Sequence, residues 1–78
     1  MMKLFIAAGG SWDDYWDEVI FSDTAENAAK QLQRYFDSQL GDLKGHEYTA
    51  YIREAHTNEF GVVEKVHNGE FLETKVRL

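Results

Sequence analysis

Residues 23–41 read DTAENAAKQLQRYFDSQLG, and the rest of the predicted fold is arranged around this segment. Its apolar residues recur three and four positions apart, the spacing that places side chains on one face of an α-helix. They are Ala25, Ala28, Ala29, Leu32, Tyr35, Phe36 and Leu40. Asp23 is predicted to cap the helix with Glu26 closing a capping box, and Gly41 is predicted to end it. We expect the alanines to let the helix lie close to a sheet, with Tyr35 and Phe36 filling the far end.

Two short segments before the helix are predicted to pair as a β-hairpin. Lys3–Ala8 is a short apolar run, which favours a buried strand over a cleaved leader peptide. Gly9-Gly10-Ser11 predicts a turn, because it lacks the Lys and Ser/Thr that would follow in a phosphate-binding loop. Tyr15–Ser22 then reads as the second strand.

The faces of this second strand are unusual, because each would carry an aromatic residue and an acid. Alternation places Tyr15, Asp17, Val19 and Phe21 on one face and Trp16, Glu18 and Ile20 on the other. A strand with one buried face normally alternates more cleanly. We therefore expect either a bulge near Asp17 or an exposed face that carries Trp16 and Glu18.

Three strands are predicted after the helix, at Glu47–His56, Phe60–Val66 and Phe71–Leu78. A hairpin loop at Thr57–Glu59 separates the first two. Asn68-Gly69 predicts a two-residue type I′ turn between the last two. In that register Val66 would face Phe71, Val62 would face Lys75 and Glu64 would face Glu73.

The predicted fold is a single compact α+β domain covering residues 1–78. One helix packs on a mostly antiparallel sheet, in the order β-β-α-β-β-β. A single helix cannot cover both faces of a five-stranded sheet, so one face should stay largely open. That open face is a natural docking surface.

Composition narrows the classes of function. The 78 residues include 14 acids, eight Lys or Arg and no cysteine, with a net charge of −6. Disulfides and thiolate metal sites are excluded, and the acidity argues against direct nucleic-acid binding. The sequence holds no apolar run long enough to span a membrane, and we expect a cytoplasmic protein. The acidity would attract a basic protein surface, or would serve only to keep a small protein soluble.

The sequence offers no catalytic or cofactor-binding constellation. His46, His56 and His67 lack the short spacings of a zinc site, and the hydroxyl residues lie in no nucleophile motif. Adjacent acids such as Asp13-Asp14 diverge in a strand rather than converge. We therefore expect no metal, no cofactor and no enzymatic activity.

The segment from Trp12 to Glu26 combines acids with aromatic residues, and no Lys or Arg occurs between Lys3 and Lys30. Such a combination is more typical of a contact surface than of a solvated tail. The alternative is that both tryptophans only cover the end of the core. The predicted partner-binding residues are Trp12, Asp13, Asp14, Tyr15, Trp16, Asp17, Glu18, Asp23 and Glu26.

In size, charge, absence of cysteine and compact α/β order, the chain resembles the small acidic inhibitors of phages and mobile elements, the anti-CRISPR proteins among them. The resemblance covers general character and no motif, so no family residue is carried over. It implies an inhibitor that blocks a basic nucleic-acid-binding surface of a host complex. Because −6 is modest for a complete DNA mimic, a local acidic patch fits better than mimicry by the whole surface.

Two other interpretations stay open. Two strands leading into Ser22-Asp23-Thr24-Ala25-Glu26-Asn27-Ala28 and a helix are similar to HicB-type antitoxin domains over residues 3–40, although that family usually carries a proline-containing segment that this chain lacks. The third interpretation is a self-associating module, in which exposed sheet residues such as Tyr51, Val63 and Leu72 form a homodimer.

Overall fold

The structure is a computed structural model that describes residues 1–10, 16–39, 47–64 and 70–77. These residues form one helix and six strands. Their bounds are β1 Lys3–Gly9, β2 Trp16–Ser22, α1 Ala25–Gln39, β3 Glu47–Glu54, β4 His56–Thr57, β5 Val63–Glu64 and β6 Leu72–Arg77. The predicted helix end at Leu40 and Gly41 and the Asn68-Gly69 turn lie outside the described residues.

Four strands form the main sheet in the order β2-β1-β3-β6, and every neighbouring pair is antiparallel. The helix α1 packs on one side of this sheet. The predicted fold class, one helix on a mostly antiparallel sheet, is therefore confirmed. α1, the one helix in the described part of the chain, is neither long nor apolar enough to cross a membrane.

The hydrophobic core lies between α1 and the sheet. Strand alternation places Phe5, Ala7, Ile20, Ala50, Ile52 and Val76 on the side of the helix, where they meet Ala28, Leu32 and Phe36. Ala7, Ala28 and Ala50 are fully buried. Because alanine is small, these three positions let the helix backbone approach the strands closely, as its alanine-rich start predicted.

The β1–β2 hairpin confirms the predicted strand pair but neither alternative for its faces. Pairing runs without a bulge from Lys3–Ser22 to Gly9–Trp16. Trp16, Glu18 and Ile20 lie on the side covered by α1, so the expected exposed face with Trp16 is wrong. The opposite side carries Val19 and Phe21, which are 54% and 57% exposed.

Gly9 explains how Trp16 fits beneath the helix. A Cβ atom at Gly9 would lie 2.7 Å from the Trp16 ring and 2.7 Å from the backbone oxygen of Thr49, closer than real Cβ contacts allow. The glycine therefore makes room for the indole against the sheet. Gly9 is the last residue of β1 rather than part of the predicted turn.

The start of α1 differs from the prediction by one residue. Thr24 is the N-cap, because its Oγ1 accepts from Asn27 N at 3.1 Å and its carbonyl accepts from Ala28 N at 2.9 Å. Asp23 lies one residue earlier and accepts a hydrogen bond from the Asn27 side chain instead. Both residue types cap helices well, so the sequence pattern alone did not separate them.

The far end of the helix is filled by Phe36 and not by Tyr35. Phe36 is 7% exposed, whereas Tyr35 is 46% exposed. Adjacent residues point about 100° apart around a helix, so both cannot face the same sheet. The prediction that Tyr35 belongs to the core is therefore wrong.

The segment after β3 departs most from the predicted strands. β4 and β5 form a separate two-stranded sheet, so the main sheet has four strands and not five. Asn58 Oδ1 accepts from Phe60 N and Val62 N, and Gly61 adopts a positive φ of 78°, which turns Phe60–Val62 into a loop.

The predicted partners of Glu73 and Lys75 in the last strand are consequently wrong, whereas the predicted pair of Val66 with Phe71 is untested because Val66 lies outside the described residues. Glu64 pairs with His56 in β4 instead of facing Glu73. Glu73 pairs with Tyr51, and Lys75 pairs with Thr49, because β6 joins the edge of β3. A turn sequence predicts only the pairing of the strands beside it, whereas the β3–β6 contact joins residues 20 (Ile52 and Leu72) to 30 (Glu47 and Arg77) positions apart.

Two glutamines of α1 hydrogen-bond to the outer strands of the sheet. Gln31 Nε2 donates to the Phe21 carbonyl of β2 at 3.0 Å. Gln33 Oε1 accepts from Arg77 N of β6 at 2.9 Å, and its Nε2 donates to the Arg77 carbonyl at 3.1 Å. The Gln33 amide thus takes the place of a neighbouring strand at this point of the edge.

Replacing Leu32 by alanine tests the position of the core. Leu32 is 2% exposed and packs in the core cluster, so Leu32→Ala should lower the free energy of unfolding by about 3 kcal/mol. Tyr35→Ala, on the same helix, should cost about 1 kcal/mol or less because that side chain is half exposed. Urea denaturation followed by circular dichroism measures both. Equal losses would contradict the orientation of α1.

Candidate functional site

The predicted partner-binding residues fall into three groups. Trp12, Asp13, Asp14 and Tyr15 lie outside the described residues. Trp16, Asp17 and Glu18 lie in β2, and Asp23 and Glu26 lie at the junction between β2 and α1. The described members do not form one continuous surface.

Trp16 packs against the core. Its ring meets the ring of Phe36 edge-on, with centroids 5.0 Å apart and planes at 78°. Its indole Nε1 is buried, with no hydrogen-bond acceptor in the described part of the chain. This environment supports the interpretation of Trp16 as a cover for the end of the core.

Asp17 and Glu18 lie on opposite faces of the sheet. Asp17 is exposed on the face away from α1, beside Ala8. Glu18 is half-buried on the helix side, where it lines a shallow pocket with Gln31 and Tyr35. A single flat partner surface therefore contacts at most one of these two carboxylates.

Asp23 is held by its neighbours at the start of the helix. Asn27 Nδ2 donates to its Oδ1 at 2.8 Å, and Ser22 Oγ lies at 3.5 Å from the same atom. The hydrogen bond from Asn27 holds the pKa of the Asp23 carboxyl below its ordinary value of 3.8. The residue therefore stays ionised at neutral pH, and its side chain is exposed to solvent.

Glu26 belongs to a groove that sequence reasoning did not find. The groove lies between the first turn of α1 and the adjoining ends of β3 and β6, and its volume is about 540 Å³. Apolar side chains of Phe5, Ile52 and Leu72 line it together with the carboxylates of Glu26, Glu54 and Glu70. We call this feature the acidic groove. Its three acids come from three distant segments, so no local pattern could have revealed it.

Cations also lie beside the acidic groove. Lys3 Nζ lies 3.4 Å from Glu54 Oε1, with both side chains 45% exposed, so this ion pair is largely screened by water. Ala25, Arg53, His56 and Phe71 complete the lining. The Arg53 Nε atom is buried, with no hydrogen-bond partner among the described residues. The exposed carboxylates of Glu26 and Glu70 give the groove its negative character.

The sheet face opposite α1 is the second exposed feature, and we call it the helix-free face. Its exposed apolar residues are Leu4, Val19, Phe21, Tyr51 and Phe71, with exposures between 38% and 57%. Of the residues predicted as dimer contacts, Tyr51 lies on this face and Val63 lies in the small β4–β5 sheet. Leu72 instead pairs with Ile52 and packs against the core, so its prediction as an exposed contact is wrong.

The described residues bring no three His, Cys, Asp or Glu side chains into a position to share a metal ion. The acidic groove holds three carboxylates, one guanidinium and one imidazole around an apolar floor. Such a lining is suited to binding a cationic group with an apolar stem. The charged end can contact the carboxylates while the stem packs on the apolar floor.

Removing the Asn27 amide tests the environment of Asp23. Asn27→Ala should raise the pKa of Asp23 towards 3.8, because its main hydrogen-bond donor is lost. Since the folded-state pKa is lowered, this carboxylate stabilises the fold above its unfolded pKa. That contribution is lost as pH falls through the lowered value. Titration of the side-chain carboxyl by NMR measures the shift, and Ser38→Ala on the same helix is the control. An unchanged Asp23 pKa in Asn27→Ala would refute this assignment.

Comparison with known proteins identifies no relative of this chain. No family model matches it, and no curated protein and no solved structure matches it either. The functional interpretation therefore depends on the sequence and geometry of this chain.

Proposed function

We propose that this protein is a small, non-enzymatic inhibitor that binds a basic segment of a partner protein in its acidic groove. One observation carries the proposal: three carboxylates from separate elements surround an apolar floor at one end of the sheet. The net charge of −6 supports it, because a long-range negative field speeds encounter with a basic partner.

The composition of the groove favours Lys or Arg side chains as its occupants. Their apolar stems would cover Phe5 and Leu72, while their charged ends would lie between Glu26 and Glu70. A carboxylate group and an arginine can form two parallel hydrogen bonds, which adds geometric selectivity to the attraction. An uncharged apolar peptide would leave the carboxylates desolvated and is disfavoured.

The proposed partner is a nucleic-acid-handling complex whose basic surface normally contacts phosphates. Lys and Arg are concentrated on such surfaces because they neutralise phosphates. Carboxylates that occupy the same cations would compete with nucleic acid, which is how the chain would inhibit. The resemblance to anti-CRISPR and other phage or mobile-element inhibitors points in the same direction. The predicted contacts at Trp12, Asp13, Asp14 and Tyr15 stay part of the proposal.

Reversing two groove charges tests this function. The double variant Glu26→Lys with Glu70→Lys should weaken partner binding at least about tenfold, because each change replaces attraction by repulsion. The tagged chain is first used to capture partners from bacterial lysate at low and high salt, with identification by mass spectrometry. The captured protein is then purified, and displacement of a labelled oligonucleotide from it is measured.

A matched control separates the groove from the overall charge. Asp37→Lys with Glu59→Lys changes the net charge equally, at exposed positions away from the groove lining. It should leave oligonucleotide displacement within about twofold of the unmodified chain. Equal losses in the two variants would refute a role of the groove. A small nuclease as the captured partner, with no nucleic acid displaced, would favour the antitoxin interpretation instead.

A further inference from the structure

We propose that the helix-free face binds a second copy of this chain, so that two sheets stack face to face in a symmetric dimer. This inference goes beyond the proposed inhibitor function, and the face meets the acidic groove at Arg53 and Phe71, which belong to both. It starts from the exposed apolar side chains of this face, of which Phe21 and Phe71 are each 57% exposed and Val19 is 54% exposed. Exposed apolar residues grouped on one sheet face mark an interaction surface.

The apolar side chains of this face form an ordered patch. Ile6 lies at its centre and is only 2% exposed, paired with Val19 on one side and Arg53 on the other. The rings of Tyr51 and Phe71 meet edge-on with centroids 5.2 Å apart. The exposed residues therefore surround a centre that is already well packed, which limits the side-chain ordering needed on association.

Charge identifies a second copy as the occupant. Among the described residues, strand alternation places three acids and three bases on this face, namely Asp17, Glu47, Glu73, Arg53, Lys75 and Arg77. The described part of the face is therefore neutral within a chain of net charge −6. A strongly basic partner gains little from a neutral surface, whereas two acidic chains can approach each other there with least repulsion.

The register defines which residues one symmetric orientation would bring together. Asp17 of the outer strand β2 lies level with Ala8, Tyr51 and Glu73 of the opposite outer strand β6. A two-fold axis parallel to the strands lays β2 of one copy over β6 of the other. Val19 would then lie near Phe71 of the second copy, and Asp17 would lie opposite its Glu73. Aligned stacking of this kind is one of the two usual ways in which sheets pack.

The edges of the sheet favour stacking over edge-to-edge growth. The Gln31 side chain hydrogen-bonds to the Phe21 carbonyl at the β2 edge. The Gln33 side chain hydrogen-bonds to the Arg77 amide and carbonyl at the β6 edge. A strand added from another copy would have to displace these side chains. The exposed face needs no such displacement.

The size of the face predicts a weak dimer. Its strands are six to eight residues long. Four such strands about 4.8 Å apart, at about 3.3 Å per residue, give a face of roughly 400 Å². A stacked pair would bury about 800 Å² in total, without the extra area that protruding side chains add. This area is below the roughly 1,200–2,000 Å² of standard stable interfaces. We therefore expect a monomer–dimer equilibrium that shifts with concentration.

Analytical ultracentrifugation over a wide concentration range tests the dimer. The chain should sediment as a monomer when dilute and increasingly as a dimer when concentrated. Phe21→Ser and Phe71→Ser should each raise the dissociation constant at least about tenfold, because each removes an aromatic contact twice per dimer. Tyr35→Ser is the matched control, since Tyr35 is an exposed aromatic residue on α1, away from this face. Circular dichroism confirms that each variant stays folded.

Charge reversal tests the orientation. Asp17→Lys alone and Glu73→Lys alone should each strengthen the dimer, because each replaces repulsion between two acids by attraction, and the two changes together should remove the gain. Asp17 and Glu73 lie on opposite outer strands of one sheet, so such coupling requires contact between two copies. Single variants that do not strengthen the dimer would overturn the proposed orientation.

Two further outcomes decide the proposal as a whole. A monomer at every concentration, or a dimer that tolerates Phe21→Ser and Phe71→Ser as well as it tolerates Tyr35→Ser, would overturn it. The groove variant Glu26→Lys with Glu70→Lys should dimerise at least as well as the unmodified chain, because it changes neither the face nor its charges. Loss of partner binding with an intact dimer would therefore show that dimerisation does not depend on the groove carboxylates.

Discussion

The close approach of α1 to the sheet is the contact on which the rest of the structure depends. It is made possible by Ala28 on the helix and Ala7 and Ala50 on the central strands, all completely buried. Around these small residues, Leu32, Ile52 and Val76 supply the apolar area that stabilises the domain. Because the chain has one helix in its described part, this core can form on one side of the sheet only. The helix-free face and the groove beyond the first helical turn are consequences of that asymmetry.

Features set by local chemistry could be predicted from the sequence. The periodic apolar residues of α1, the apolar run of β1 and the alternation in β3 identified these elements, and together with the predicted second strand they indicated the fold class. The errors arose where two residues compete for one role or where partners are distant. Asp23 and Thr24 can both cap a helix, and in the structure it is Thr24 that accepts the hydrogen bonds of the first helical turn. The loop chemistry at Asn58 and Gly61 and the pairing of β6 with β3 depend on tertiary contacts that periodicity does not report.

The candidate sites show the same division. A run of acids and aromatic residues in the sequence resembles one surface, but strand alternation sends Asp17 and Glu18 to opposite faces and Trp16 into the core. Conversely, Glu26, Glu54 and Glu70 are separated by many residues and yet line one groove. The open sheet face was predicted because a single helix can cover only one face of a sheet. Which apolar residues occupy that face required the register, because a shift of one residue exchanges the two faces.

The contact between Gly9 and Trp16 has an evolutionary consequence. Any side chain at position 9 would collide with the indole and with the Thr49 carbonyl, and the carbonyl belongs to the backbone of a central strand and cannot easily move. A smaller residue at position 16 would relieve only the first of these collisions and would leave Phe36 without its edge-on neighbour. Glycine at position 9 is therefore the less replaceable member of the pair. In a lineage that keeps this fold, we expect position 16 to drift among large apolar residues while position 9 stays glycine.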